Sequence, residues 1–316
     1  MRAFRFGVFA ESVRSRTDLV DTARRAEDAG FDIFLIRDHF VAEPFGHQLA
    51  PLATLATVAS LTERLWIGSL VFSNDYRHPV ILAKEAATLD LLSEGRFELG
   101  LGAGFSKTEY EQAGFQFDPV GVRAERLAET LRILKGLFAG ERFDFSGQYY
   151  TLSDLESFPT PIRCPHPPIL VAGTSDRILS IVAAEADIAG FQTVSTATGA
   201  VVQDPKLRMA ETVQQKIATL RQLAGPRFDQ IELSTTASVV ITDNRQDAAE
   251  QFARARRWDG ISGDQILAMP SVFIGSIGTI IAEMQERRET YGFSYYVVHD
   301  HALANVAPII ERLTGT

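Results

Sequence analysis

Short runs rich in Val, Ile, Leu and Phe alternate with helix-period segments along the whole chain, which restricts the fold to repeated βα units around a parallel sheet. Eight such runs are found, at 4–10, 32–39, 65–72, 97–104, 168–173, 187–192, 231–241 and 294–299. Helices are expected between them. Thr17 or Asp18 can cap the first, apolar residues recur at Leu19, Ala23 and Ala26, and Gly30 sits where the chain must reverse. The second runs from Pro51, a residue suited to a first helical turn, to Leu61.

Two stretches interrupt the alternation. Residues 143–152 read as a hairpin around Ser146-Gly147 and lead into a proline-rich connection. Residues 258–275, with Gly260, Gly263 and Met269-Pro270, read either as a lid or as a packed loop with no part in binding. An open doubly wound sheet would also alternate β and α, but its nucleotide fingerprint requires glycines after the first strand, and Phe9-Ala10-Glu11-Ser12 has none. The later Gly100-Leu101-Gly102-Ala103-Gly104 has the wrong spacing. The expected fold is α/β, a single (β/α)8 TIM barrel over residues 1–316 with insertions after strands four and seven. At 316 residues and 46% hydrophobic, the chain can bury such a core.

The net charge of -9 repels phosphodiester backbones and anionic membranes, so neither nucleic acid nor membrane is an expected partner. Cys164 is the lone cysteine, which excludes an intrachain disulfide and suits a reducing compartment. The start shows no leader pattern and no stretch is apolar enough to span a bilayer, so a cytoplasmic protein acting on a small-molecule substrate is expected.

In a (β/α)8 barrel, chemistry belongs to the C-terminal ends of the strands. Strand two ends in Asp38-His39-Phe40, where His39 is a candidate acid or base and Asp38 could fix its tautomer; alternatively the imidazole only hydrogen-bonds within the mouth. Gly102 and Gly104, at the end of strand four, either let backbone approach a flat ligand or serve close packing. Gly173-Thr174-Ser175 opens a helix after strand five and could hold a phosphate, assisted by Arg177; the alternative is a plain Ser or Thr cap. Strand six ends in Gln192-Thr193. His299 and His301 stand two apart around Asp300, a spacing that suggests a metal, but alternation puts the Asp on the other side, and no metal site is expected. Neither a Gly-x-Ser-x-Gly elbow nor a His-Glu-x-x-His motif occurs.

Ile36-Arg37-Asp38-His39-Phe40, the stretch from Asn74 to Pro79, and above all residues 89–104 resemble the bacterial luciferase-like monooxygenase superfamily, and within it the oxidoreductases that use coenzyme F420. The resemblance continues through the hairpin and through Pro167 to Gly173, and so covers nearly the whole chain. It implies a (β/α)8 barrel with a tricyclic ring over its mouth: Asp38 and His39 beside the ring, Ser69 and Leu70 beneath it, and Gly173 and Thr174 near the phosphate. It also implies a non-proline cis peptide in strand three, placed by counting back from Pro79 between Ser69 and Leu70, with Gly68 easing the bulge. Two departures stand out. Relatives have a run of glycines where this chain has Ala172-Gly173-Thr174-Ser175, and often Trp where Phe105 stands. The sugar-phosphate dehydrogenases of the superfamily carry a catalytic Glu at or near Phe105, and Glu109 lies too far along to be matched to it. The resemblance thus implies an F420-dependent hydride transfer to or from a small organic molecule other than a sugar phosphate. The alternatives are an FMN-dependent monooxygenase and a barrel that binds a flavin derivative without turnover. The family's dimers, formed through helices two and three, make a homodimer an expectation.

Overall fold

The structure, a computed structural model, describes residues 1–316 other than Ser12, Gln192, Thr193, Ser195 and Ala197. The expected strand-six terminus at Gln192-Thr193 therefore lies outside the described residues. The strands are β1 (Arg5–Phe9), β2 (Ile33–Ile36), β3 (Trp66–Ser69), β4 (Phe72–Ser73), β5 (Phe97–Gly102), β6 (Phe143–Ser146), β7 (Thr151–Leu155), β8 (Ile169–Ala172), β9 (Ile188–Phe191), β10 (Glu232–Thr236), β11 (Ser238–Ile241), β12 (Val272–Gly275) and β13 (Phe293–His299). The α-helices are α1 (Arg16–Asp28), α2 (Pro51–Leu61), α3 (Pro79–Leu92), α4 (Lys107–Ala113), α5 (Val120–Phe138), α6 (Asp176–Glu185), α7 (Ala210–Ala224), α8 (Arg245–Ala255), α9 (Gly263–Leu267), α10 (Ile277–Tyr291) and α11 (Leu303–Leu313).

Parallel pairing runs β1-β2-β3-β5-β8-β9-β10-β13 and closes from β13 back onto β1, with β4 continuing β3 along β5. This is the expected eight-stranded barrel. Its strands read as continuous apolar runs because both faces are covered: every residue of β2, β5 and β9 is buried. Phe9, Ile33, Leu35, Leu170, Ile188, Tyr295 and Val297 fill the interior, and a second, larger core lies between sheet and helices. Ser15, just before the expected Thr17 or Asp18, caps α1 by accepting from the Asp18 amide, and Leu19, Ala23 and Ala26 form its buried stripe.

The floor of the barrel is closed by charge. Arg5 donates to Glu98 at 2.9 Å and to Glu232 at 2.6 Å, and the Tyr295 hydroxyl donates to Glu98 at 3.1 Å. Glu98 is fully buried, while Arg5 lies over the Tyr295 ring with 25% of its side chain exposed, so the cluster joins a buried carboxylate to the rim of the floor.

Both insertions are present. The hairpin β6–β7 turns at Ser146-Gly147 as expected, with the Gly147 amide donating to the Tyr150 carbonyl. Strand seven, expected as one run over 231–241, breaks at Ala237: β10 stays in the barrel, while β11 leaves it to pair with β12. Of the two readings of 258–275 the packed one fits, since Ile266, Met269, Val272 and Ile274 share a separate apolar cluster with Phe252 and Trp258 from α8 and the turn after it. Among the described residues no helix is long and apolar enough to cross a membrane.

Candidate active site

Strand three is interrupted at the barrel mouth. β3 stops at Ser69, the Leu70–Val71 peptide is cis, and β4 resumes at Phe72. The cis bond thus lies one peptide later than expected. The fully buried Ser69 hydroxyl bridges the break, donating to the Gly100 carbonyl at 2.9 Å and accepting from the Phe72 amide at 3.1 Å. The neighbouring strand must lack side chains here. A Cβ on Gly100 would lie 1.9 Å from the Ser69 carbonyl oxygen, and one on Gly102 would lie 2.7 Å from the Val71 side chain. Gly104 (φ +72°) is confined in the same way by the Tyr110 hydroxyl and Ser73. Of the two sequence readings of these glycines, close packing accounts for Gly102 and Gly104. Ser69 likewise spends its hydroxyl inside the protein, whereas Leu70 and Val71 cap the interior core and remain partly open to the mouth.

At the end of β2, Asp38 and His39 diverge. Asp38 is buried and accepts both Arg77 guanidinium nitrogens, at 2.5 and 3.2 Å, together with the Ser73 amide. It therefore fixes the loop after β4 against β2 and does not orient His39, correcting the expected pairing. The partner of His39 is Glu109, whose Oε2 lies 2.8 Å from Nδ1. Glu109, on the first turn of α4, is fully buried, accepts from the Phe40 and Val41 amides, and accepts from the Tyr76 hydroxyl at 2.8 Å. Burial pushes its carboxyl up, but the hydrogen bond and charge of His39, the Phe40 amide and Tyr76 outweigh this and hold it below the ordinary carboxylate value. Glu109 lies well past strand four, outside the strand-end positions that the sequence points to. The available signal was a Glu-Tyr pair in the first turn of a helix that starts directly at the mouth.

Across the mouth, Glu11 follows β1 and binds both the Arg37 guanidinium and Nδ1 of His299, the latter at 2.7 Å. Burial raises its carboxyl pKa, and His299 and Arg37 more than reverse this, bringing it down to about 2. Arg37 lies between two rings, 4.0 Å from the Phe9 centroid and 3.8 Å from that of Phe45. Phe45 and Phe105 in turn flank His39, with centroids at 5.1 and 5.6 Å. The result is a continuous wall from His39 through Phe45, Arg37 and Phe9 to His299. Glu11 and Arg37 are site residues beyond those expected from the sequence. His299 and His301 stack at 5.5 Å, while Asp300 turns away to accept the Glu11 amide.

At the fifth strand, Gly173 (φ +138°) turns the chain into α6, and a Cβ there would meet Ile178 at 2.9 Å. The Ser175 hydroxyl caps α6 by accepting from the Ile178 amide, which leaves the first amides of that helix without intrahelical partners. Thr174 borders a shallow cavity that Thr212, Lys216, Thr235 and Ser271 also line. Arg177 does not assist, because it pairs with Glu125 at 2.8 Å and donates to the Gly121 carbonyl.

Comparison with known proteins places this geometry in context. The F420-dependent glucose-6-phosphate dehydrogenase of Amycolatopsis mediterranei is 35% identical over 159 residues, 49% of this chain and 47% of that protein. The F420-dependent hydroxymycolic acid dehydrogenase of Mycobacterium tuberculosis is 36% identical over 177 residues, 54% of this chain and 48% of that protein. The chain thus spans about half the length of the curated relatives it matches. A solved F420-dependent secondary alcohol dehydrogenase in complex with an F420-acetone adduct superposes with a TM-score of 0.75. It is 17% identical, with 99% of this chain and 98% of that one covered, and shares the fold. The profile of the luciferase-like monooxygenases matches residues 4–291, and the chain belongs to that family.

Proposed function

We propose that the protein is a coenzyme F420-dependent oxidoreductase that moves a hydride between the deazaflavin and a small organic alcohol, carbonyl or conjugated compound. The observation that carries the reading is His39, an imidazole held through Nδ1 by a buried carboxylate at the C-terminal end of a barrel strand, with Nε2 left for a substrate proton. The names of the curated relatives support the choice of cofactor.

The residues present fit such a group. Leu70 and Val71 offer an apolar step on which a tricyclic ring can rest, and Thr174, Ser175 and the open amides of α6 offer donors to a phosphate. When bound, the deazaflavin supplies a carbon that accepts or gives hydride. His39 takes the substrate hydroxyl proton in oxidation and returns it in reduction. Glu109 keeps the ring in place, Asp38 and Arg77 fix the adjoining loops, and Phe45 and Phe105 exclude water. Glu109 has no exposed surface and all its donors come from the chain, so it positions His39 without touching substrate. With Phe105 at the open position, the substrate proposed is not a sugar phosphate.

The test is calorimetric titration of the apo-protein with F420, FMN and NADPH, followed by turnover with and without oxygen. Tight binding of F420 and oxygen-independent turnover are expected. Turnover that requires oxygen and reduced FMN and is silent with reduced F420 would sink the reading in favour of the flavin monooxygenase to which the family description points. Tight cofactor binding without turnover of any substrate panel would favour a non-catalytic binding barrel. A cytoplasmic homodimer accompanies the proposal, with Ile81, Leu91 and Leu92 of α3 exposed on the outer surface. Light scattering at the 34.8 kDa of one chain would reject the dimer.

A further inference from the structure

The mouth contains a second imidazole built on the plan of the first. His299 ends β13 as His39 follows β2, and each gives Nδ1 to a glutamate, at 2.7 and 2.8 Å. Each glutamate is held below its ordinary pKa by hydrogen bonds from the chain, and in each ring Nε2 has no partner among the described residues. The groups facing His299 are Glu11 from the loop after β1, Arg37 just past β2, and Asp300 and His301 from its own loop. Arg37 is neutralised by Glu11 and enclosed by Phe9 and Phe45, and Asp300 is turned onto the Glu11 amide. What remains directed at a ligand is the free edge of His299, stacked on Phe9 at 6.1 Å, at the far end of the wall that begins at His39.

A purely structural pair, stapling β1 to β13, would need neither the spare nitrogen nor the partial exposure of the His299 side chain at 31%. We infer that His299 is a specificity-determining residue whose Nε2 accepts a hydrogen bond from a second hydroxyl of the substrate, held apart from the reacting carbon by an apolar span lying along Phe45 and Phe9. The inference rests on the proposed function for the reacting end at His39. At the other end it is independent, because ligand recognition by His299 requires no turnover. Glu11 is then a positioning residue that presents the ring.

The probes are cyclohexanone and 4-hydroxycyclohexanone, titrated into protein labelled with ¹⁵N-histidine, with and without oxidised F420, while ring resonances are followed. In the wild type the hydroxyketone is expected to bind about fivefold tighter, as one net hydrogen bond gives, and to shift the Nε2 resonances of both His39 and His299. His299→Phe should bring the two affinities together with that for cyclohexanone unchanged, and His299→Gln, whose amide oxygen retains an acceptor, should recover part of the preference. Equal affinities in the wild type, a shift confined to His39, or a preference that survives His299→Phe would overturn the inference. The wild-type spectra decide even if a variant fails to fold. Loss of F420 binding with the preference intact would sink the cofactor reading while upholding this one.

Discussion

The two ends of the barrel both carry charge, and they use it differently. At the floor, Arg5, Glu98, Glu232 and Tyr295 spend their hydrogen bonds on one another. At the mouth, Asp38, Arg77, Glu11 and Glu109 are just as fully engaged, yet the two imidazoles held by Glu109 and Glu11 each retain one nitrogen. The mark of a working site here is therefore hydrogen-bonding capacity left over within a rigid frame, since buried charge by itself is equally abundant where no chemistry is expected.

The strongest way to break this contrast is at His39. His39→Ala should lower turnover by about 10²- to 10⁴-fold, the usual contribution of a general acid or base, with F420 affinity within about threefold. A fall in turnover of less than about threefold would make His39 structural. The floor should respond in the opposite sense. Arg5→Met strands the Glu98 carboxylate and should cost about 3 kcal/mol in denaturant unfolding while leaving kcat per folded molecule unchanged. A loss of kcat equal to that of His39→Ala would erase the distinction between the two ends.

Glu11 sharpens the comparison through pH. Its folded-state pKa, about 2, lies below the ordinary 4.5, so the stability it contributes is present above pH 4.5 and is lost as pH falls toward 2. Thermal midpoints should therefore decline less steeply between pH 6 and pH 3 in Glu11→Gln than in the wild type, and parallel declines would refute the pairing. The smallest effect is expected at Ser175→Ala, where loss of the cap should cost about 1 kcal/mol. Calorimetry should also show weaker F420 binding, and unchanged affinity would remove Ser175 from the phosphate site.

Much of the fold was legible because parallel strands buried on both faces must be apolar, and 97–104 or 294–299 can hardly be read otherwise. Pro51 and Leu61 bound the second helix as expected, since a proline at the first turn has few other places to go. Breaks within strands were less legible. The end of β10 at Thr236 is set by pairing of β11 with a strand some thirty residues later, and the break after Ser69 by a hydroxyl that reaches across to β5. No local pattern encodes such partners. The site divides on the same line. His39 and the helix opening at Ser175 follow from strand-end position alone, whereas the choice of Glu109 over the adjacent Asp38 as partner of His39 depends on how α4 folds back over the mouth.

The Arg5 cluster has a kinetic consequence. With the floor bridged by ions and the interior filled by side chains, the described residues leave the mouth as the doorway to His39. Under the proposed function two molecules share that doorway, and whichever seats lower, against Leu70 and Val71, is held in place by the one above. If the cofactor is the lower of the two, it is expected to enter before the substrate and leave after it, and product-inhibition patterns would test that order.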